Sequence, residues 1–359
     1  MTLPATVVIG AGVIGCLIAR ELTARNPQGC VTVLDSDAVG AGASRRSAGL
    51  HLPRGATART RCMSSYSHAY YADLKRSRPE LPIHPVAATV ISSRGRADQL
   101  GGGYLREAAL VPARRLQGAA LRLPPGSRGW HVAGCHYADV YRLTNAVAAQ
   151  LRPRVLFLEG LAVTGLTVGG GAVTVHGGTG ERLRADSVVL APGPWLSAPA
   201  WRELIAPLGL RVKKIVALHI EQRPDPADEA VILDDDDAFL LPLADRQHWL
   251  FSYSCREWDV DPDGLGSGLS AGDIALARDC LRRYTPSLAD ACRSGRVFCD
   301  AYSPDAEPVI RALDGAGQIV FAGAASGSGY RLAPAIAAQV ADLLYGQRNE
   351  GATVDNEYV

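Results

Sequence analysis

The chain has no excess of charge of either sign, with 37 lysines and arginines against 36 aspartates and glutamates in 359 residues. Such a balance supplies no long-range field for nucleic acid or for an anionic membrane. It also has no Cys-x-x-Cys pair. The eight cysteines (Cys16, Cys30, Cys62, Cys135, Cys255, Cys280, Cys292 and Cys299) are scattered without a matching histidine cluster, which argues against a zinc site or a disulfide framework and predicts buried thiols in a reducing compartment. No metal is expected. No apolar run approaches membrane-spanning length, and the opening MTLPAT lacks the basic and apolar regions of a signal peptide. The location expected is cytoplasmic, with a small molecule as partner and self-association left open. What is present is an ordinary globular composition, 47% apolar and 20% charged, in a chain long enough for two interlocked domains around a sizeable core.

The opening TVVIGAGVIGCLIARELTARNPQGCVTVLDSD passes from a β-rich run to a helical pattern and back, which is one βαβ unit. VAATVIS (Val86 to Ser92) reads as a strand, Gly101-Gly102-Gly103 as a turn, and TNAVAAQLRP as a helix behind a Thr144 cap. VLFLEG, LAVTGLTV and AVTVHGG suggest a β-meander, and SVVLAPGPW is an apolar strand running into a Gly/Pro turn, as a parallel strand ending at a ligand would. LRVKKIVALHIE, AFLLPLA and HWLFSYS suggest a second sheet, followed by a helix in LSAGDIALARDCLRRYTPSL. The acidic run Asp234 to Asp237 is expected to be a solvated loop, and Gln347 to Val359 a polar tail.

Gly10, Gly12 and Gly15 form G-x-G-x-x-G between strand and helix, and Asp35 stands at the end of the next strand. Gly10 permits the tight turn, Gly12 the approach of a pyrophosphate, and Gly15 close packing of helix on strand. The helix N-terminus at Val13 and Ile14 offers N–H donors to the phosphate, and Asp35 with Ser36 suits a ribose diol. NAD and FAD are not separated by this motif.

Directly after it, AVGAGASRRSAGLHLP resembles the D-amino-acid oxidase-like flavoprotein family, which includes glycine oxidase, monomeric sarcosine oxidase and D-arginine dehydrogenase. The resemblance spans nearly the whole chain. By position, Gly40, Gly42, Ala43, Ser44 and Arg45 match a turn past the pyrophosphate, and Ala48, Gly49 and Leu50 a stretch beside the isoalloxazine. Val163 stands where the family contacts adenine, and LAPGPW, with Ala191, Gly193 and Trp195, looks like its second dinucleotide-binding turn. AGAASGSGYRLAPAIA resembles the closing motif, with Gly323, Gly327, Ser328, Gly329, Tyr330, Arg331 and Leu332 meeting the flavin O2 end. The resemblance implies FAD as cofactor. It also implies an α/β fold: a Rossmann-type, glutathione-reductase-like FAD domain (1–80, 135–210 and 296–350) with an inserted antiparallel-sheet substrate domain (81–134 and 211–295) and a tail (351–359).

On the substrate side, Arg331 occupies the place of a carboxylate-gripping Lys in the sarcosine oxidases. A guanidinium can hold a carboxylate through two parallel bonds; the alternatives are a surface arginine or a partner of Asp342. Asp300 stands where glycine oxidase-like members carry an arginine, so a cationic nitrogen could be held there instead. His51 could face the ring and take a proton, or be a hydrogen-bonded structural residue. Tyr302 and Tyr253 fall on strands expected to cover the pocket. Arg46 and Arg54 are further anion-contact candidates, with surface roles as the alternative. Cys299 is one residue out of register for the family's covalent flavin link, and HWLFSYSCREW lacks the lysine that the family uses to activate oxygen.

The function implied is hydride transfer from a carbon bearing nitrogen, in an amine, imino acid or amino-acid-like substrate of specialised metabolism, to flavin N5, with oxygen or another acceptor closing the cycle. A dehydrogenase or desaturase forming a ring C=N bond, a nicotinamide enzyme and a flavin-binding subunit of a heteromeric amine oxidase are the alternatives.

Overall fold

The computed structural model describes residues 5–93, 100–113, 121–265 and 268–353. Two sheets organise the chain. The first has six strands in the order β19-β20-β13-β1-β2-β9. These are β1 (Ala5–Ile9), β2 (Cys30–Leu34), β9 (Val155–Leu158), β13 (Ser187–Leu190), β19 (Val309–Ala312) and β20 (Ile319–Gly323). All pairs are parallel except β19 with β20. β1, β13 and β20 are almost continuously apolar because both faces of the sheet are covered.

Helices α1 (Val13–Arg25), α2 (Ala43–Arg46), α3 (Ala58–Ser77), α4 (Val140–Leu151), α5 (Ala271–Tyr284) and α6 (Gly329–Thr353) complete the frame. α1 and α6 pack on one face of the first sheet, where Cys16, Ile18, Leu22, Ile336 and Val340 are buried with Val8 and Val320. Burying one such aliphatic side chain contributes ~1.5–3 kcal/mol. Truncating the fully buried Leu22 to alanine should cost ~2–5 kcal/mol.

The second sheet has eight strands in the order β18-β14-β17-β16-β15-β5-β7-β6. They are β5 (Ala88–Ser93), β6 (Val111–Pro112), β7 (Ser127–Val132), β14 (Arg211–Ile220), β15 (Ala230–Leu233), β16 (Ala238–Leu243), β17 (His248–Tyr253) and β18 (Cys292–Tyr302). It is antiparallel except where β15 runs parallel to β5. One face, with Val216, Leu218, Ile220 and Phe251, packs on α5. The other, with Ala217, Leu241 and Leu250, faces Leu52 and Tyr137. A three-stranded sheet, β3 (Leu50–His51), β8 (His136–Ala138) and β4 (Ile83–Pro85), joins the two halves.

Several expectations change. VLFLEG is not part of a meander: its strand β9 adds in parallel to β2, and the meander is Val163–Gly169, Ala172–Gly177 and Arg182–Ala185. α4 begins at Val140 with Asp139 as its cap, accepting from the Arg142 N–H, while Thr144 lies inside the helix and bonds back to the Val140 carbonyl. Gly101 to Gly103 lie in a helical turn. β18 pairs with β14 up to Tyr302, so the second sheet extends past residue 296. α6 continues to Thr353, beyond the start of the expected tail.

Candidate active site

The glycine turn between β1 and α1 is set by close approaches. Gly10 has φ 108° and a Cβ there would lie 2.2 Å from the Ala191 carbonyl oxygen; a Cβ on Gly15 would lie 1.8 Å from the Gly10 oxygen. The Gly10 N–H donates to the Leu34 carbonyl and the Ala191 N–H to the Ile9 carbonyl, so β1, β2 and β13 end together. Gly12 caps α1 without a side-chain bond, and the first turn carries no acidic residue. The positive end of the helix dipole is therefore left for an anion. Ser44 of α2 reaches across, its Oγ accepting from the Val13 N–H at 2.9 Å. Ile14 and Ala43 flank this contact in sequence.

Asp35 accepts from the Ala11 N–H at 2.7 Å and the Asp37 N–H at 2.9 Å, which ties the end of β2 to the turn. Burial raises its pKa. Ser36 is exposed beside it. The Leu161 N–H donates to the Asp35 carbonyl, which brings the segment carrying Val163 to the same edge. Gly193 lies in the turn after β13, and Trp195 donates from Nε1 to Asp263 at 2.8 Å while its ring stands 3.0 Å from where a Gly42 Cβ would be. Arg45 faces outward, stacked 5.7 Å over Tyr141, in a cleft of about 390 Å³ shared with Arg142 and Arg246.

At the far end, Ala48 and Leu50 pack against the second sheet, and the Gly49 N–H donates to Ser47 Oγ. Gly323 ends β20, and the turn Ala324–Gly327 leads through Ser328 and Gly329 into α6. Tyr330 is buried, with its Oη 3.0 Å from His136 Nε2 and its carbonyl accepting from Tyr71 Oη, and the Leu332 N–H closes on the Ser328 carbonyl. Arg331 bonds to Ser328 Oγ, and among the described residues its Nε has no partner. Burial first, then the neighbouring Arg54, lower its pKa to about 10. Arg54 lies 5.3 Å over the Tyr104 ring and 3.7 Å from Asp234, and Tyr104 Oη is likewise buried without a partner among the described residues.

Not every expected residue joins this group. His51 is completely buried. Its ring stacks on His136 at 4.4 Å, its Nε2 lies 3.3 Å from His68 Nδ1, and its Nδ1 has no partner among the described residues. Burial and the flanking His136 hold its pKa well below 6.5, so it is a neutral ring inside a β3–β8–α3 cluster with no face open to a ligand. Tyr253 pairs in register with Val216, on the α5 side of the sheet, and its Oη donates to Asp273. That places it on the wrong face for the pocket. Tyr302 does lie on the other face, with its Oη 3.3 Å from where a Gly327 Cβ would stand. Asp300 gives one oxygen to the Ala301 N–H and the other to the Gly327 N–H, so its acceptors serve the main chain. Cys299 stands opposite Lys214, out of step with Phe298 and Asp300, and burial raises its thiol to about 11. Asp342 pairs with Arg25 rather than with Arg331. The acidic run is not a free loop, since Asp235 accepts from Ser93 and Asp236 from Arg283 and Tyr284.

The structure adds groups that the sequence reading missed. Lys213, on β14 directly opposite Asp300, is buried, donates to Ser254 Oγ at 2.6 Å and lies 4.9 Å over Trp258 and 5.3 Å over Tyr302. Period-two alternation from Ala217 back to Lys213 would have assigned it to this face. Arg296 donates to the Arg46 and Ser47 carbonyls and to His219 at 2.5 Å, tying β18 to α2. Cys255, Glu257 and Asp273 converge on the opposite face, where the Lys214 ammonium sits 2.7 Å from Glu257 and 3.0 Å from Asp273. That is an ion-pair cluster.

A dinucleotide fits this groove. The N-terminal turn of α1 would hold a pyrophosphate, the Asp35 edge a ribose, and the space bounded by Ala48–Leu50 and the Gly327 turn a flat ring system.

Residues 5–343 match the DAO family model, described as FAD dependent oxidoreductase. A 4-methylaminobutanoate oxidase (formaldehyde-forming) of Paenarthrobacter nicotinovorans is 28% identical over 246 residues, and the match covers 63% of this chain but 28% of that protein. The chain thus spans under a third of that relative's length. Among solved structures, glycine oxidase from Bacillus cereus has a TM-score of 0.78 at 15% identity, covering 95% of this chain and 97% of the other. Fructosyl amine: oxygen oxidoreductase (Amadoriase I) from Aspergillus fumigatus has a TM-score of 0.73 at 20% identity, covering 96% and 87%. L-proline dehydrogenase from P. horikoshii has a TM-score of 0.77 at 16% identity, covering 96% and 94%. Among the described residues no helix is long and apolar enough to cross a membrane. Its cofactor is FAD, and the chain belongs to the DAO family of FAD-dependent oxidoreductases.

Proposed function

We propose that this chain oxidises the carbon–nitrogen bond of a small amine that also carries a carboxylate. The observation that carries the proposal is Arg331: a largely enclosed guanidinium in the first turn of α6, with an orphan Nε and no carboxylate partner among the described residues. A buried cation without a counter-ion costs free energy, and an anionic ligand offsets it. FAD, when bound, supplies the hydride acceptor.

The rest falls to the protein. Arg331 holds the carboxylate through a charge-assisted pair, with the Tyr104 hydroxyl and Arg54 beside it. The same two cations disfavour a protonated amine, so the substrate enters as the neutral amine, its proton having gone to bulk water before binding. Neutral amine is the form whose lone pair assists loss of hydride. The β14–β18 face, with Lys213 and Tyr302, covers the reacting carbon and excludes water. The name of the Paenarthrobacter relative describes a substrate of this type, a methylated amine with a terminal carboxylate.

An anaerobic screen tests the reading. Sarcosine, 4-methylaminobutanoate and proline are compared with amines of equal size that lack the acid, following bleaching of the flavin band. Carboxylated amines should bleach it, and bleaching by acid-free amines alone, or by none, would overturn the proposal. Peroxide yield under air separates an oxidase from a dehydrogenase with another acceptor.

A further inference from the structure

The turn between β20 and α6 is held in an unusual conformation. Ala324, Ser326 and Gly327 have φ of 50°, 49° and 79°, and two of these three residues carry a Cβ. Left-handed backbone at non-glycine residues persists only where the surroundings fix it. Here the end of β18 does so. Tyr302 bridges Ala325, the Ser326 N–H donates to the Ala301 carbonyl at 3.2 Å, and the Ser303 N–H donates to Ser326 Oγ at 3.3 Å. The last tie is Gly327 N–H to Asp300 Oδ2 at 3.0 Å, the one among these four made by a charged side chain.

Asp300 sits in a place that does not otherwise suit an acid. Its other oxygen accepts from the Ala301 N–H at 2.9 Å. The cation directly across the sheet, Lys213, gives its ammonium to Ser254 and to the rings of Trp258 and Tyr302. Burial raises the carboxyl pKa to about 6. Among the described residues only two backbone N–H groups, on two different chain segments, recommend a carboxylate here, and an isosteric amide has one acceptor atom for two donors.

We propose that Asp300 is a positioning residue that clamps the strained Ala324–Gly327 turn, and so sets where the first turn of α6, with Arg331, meets the isoalloxazine end of FAD. This depends on the cofactor but not on which amine is oxidised. The adenosine end is held elsewhere, by the β1–α1 turn and Asp35. Loss of the clamp should therefore weaken FAD binding while sparing ADP.

The test uses the full chain stripped of flavin, as wild type, Asp300→Asn and Asp300→Ala, with FAD and ADP affinities measured by fluorescence quenching and calorimetry. Asp300→Ala should raise the FAD dissociation constant roughly tenfold to a hundredfold, the worth of a bond to a charged group, with ADP affinity unchanged within about twofold. Asp300→Asn should fall between. Adding Ser326→Gly to Asp300→Ala should recover part of the FAD affinity, because glycine adopts that φ without strain. The double variant also serves as the test if Asp300→Ala does not fold. Unchanged FAD affinity, equal losses for FAD and ADP, or no recovery with Ser326→Gly would overturn the clamp.

Discussion

Replacing Arg331 by methionine should have two effects of opposite sign. Methionine keeps most of the length and the apolar contacts of the stem, so the change is chiefly electrostatic. In the free enzyme the guanidinium is held where burial and Arg54 lower its pKa from 12.5 to about 10. At ~1.36 kcal/mol for each pH unit, that is a charging cost on the order of 3 kcal/mol. Because part of the side chain still meets the cleft, a discounted gain of roughly 1–2 kcal/mol in stability is expected for Arg331→Met. Binding should move the other way. A charge-assisted pair to a carboxylate is worth ~1.5–3 kcal/mol, so the dissociation constant of a carboxylated amine should rise roughly tenfold to a hundredfold. Urea unfolding of the FAD-loaded protein reads the first effect, and perturbation of the flavin spectrum by the ligand under anaerobic conditions reads the second. A variant that is less stable and binds as well as wild type would show that Arg331 is a structural residue, and the reasoning from its orphan Nε would fail.

Other outcomes follow from the same geometry. Gly15→Ala should yield protein without flavin, since its Cβ would overlap the Gly10 oxygen at 1.8 Å, and absorbance of the purified protein decides it. Acid precipitation should leave the yellow colour in the supernatant, because Cys299 is out of step with Phe298 and Asp300 and its thiol is pushed up to about 11; colour in the pellet would contradict that register. Burial lowers His136 to about 3 and holds His51 well below 6.5, so both bind protons less readily folded than unfolded. Their contribution to stability is therefore complete above about pH 6.5 and is lost as the pH falls toward 3, at up to ~1.4 kcal/mol per pH unit for each group, and His136→Gln should flatten the pH dependence of the urea midpoint. Tyr253→Phe should leave flavin reduction unchanged and cost about 1 kcal/mol of stability, because its hydroxyl serves Asp273 on the α5 face.

How much of this was legible depends on what each signal encodes. The β1–α1–β2 unit with Asp35 stood in the sequence because close backbone approach admits only glycine at set spacings, and the structure places those elements at Ala5–Ile9, Val13–Arg25 and Cys30–Leu34. The turn before α6 was legible only through its resemblance to the family's closing motif, since a Cβ on Gly327 would meet no backbone, only the Tyr302 hydroxyl at 3.3 Å. The face of β17 was not: His248 to Tyr253 reads as an almost continuous buried run, so no alternation says that Tyr253 looks toward α5. His51 misled because its ring partners come from other elements: the β3–β8 register sets His136 against it, and α3 brings in His68. Asp300 showed as an anomaly in the sequence, but its partner at Gly327 is a backbone N–H, which leaves no trace in residue identity.

The interleaving of the first sheet has a consequence for how the chain is made. β1 and β2 emerge from the ribosome before the rest of their sheet, yet β1's other neighbour, β13, begins at Ser187, and β13 in turn waits for β20 at Ile319. α1 packs on α4 and more extensively on α6, so part of its buried face stays uncovered until α6, which begins at Gly329, is in place. Closing such long loops makes folding slow and exposes apolar surface in the meantime. The cofactor groove, though announced within the first 35 residues, is completed only by a strand almost 300 residues further along the chain.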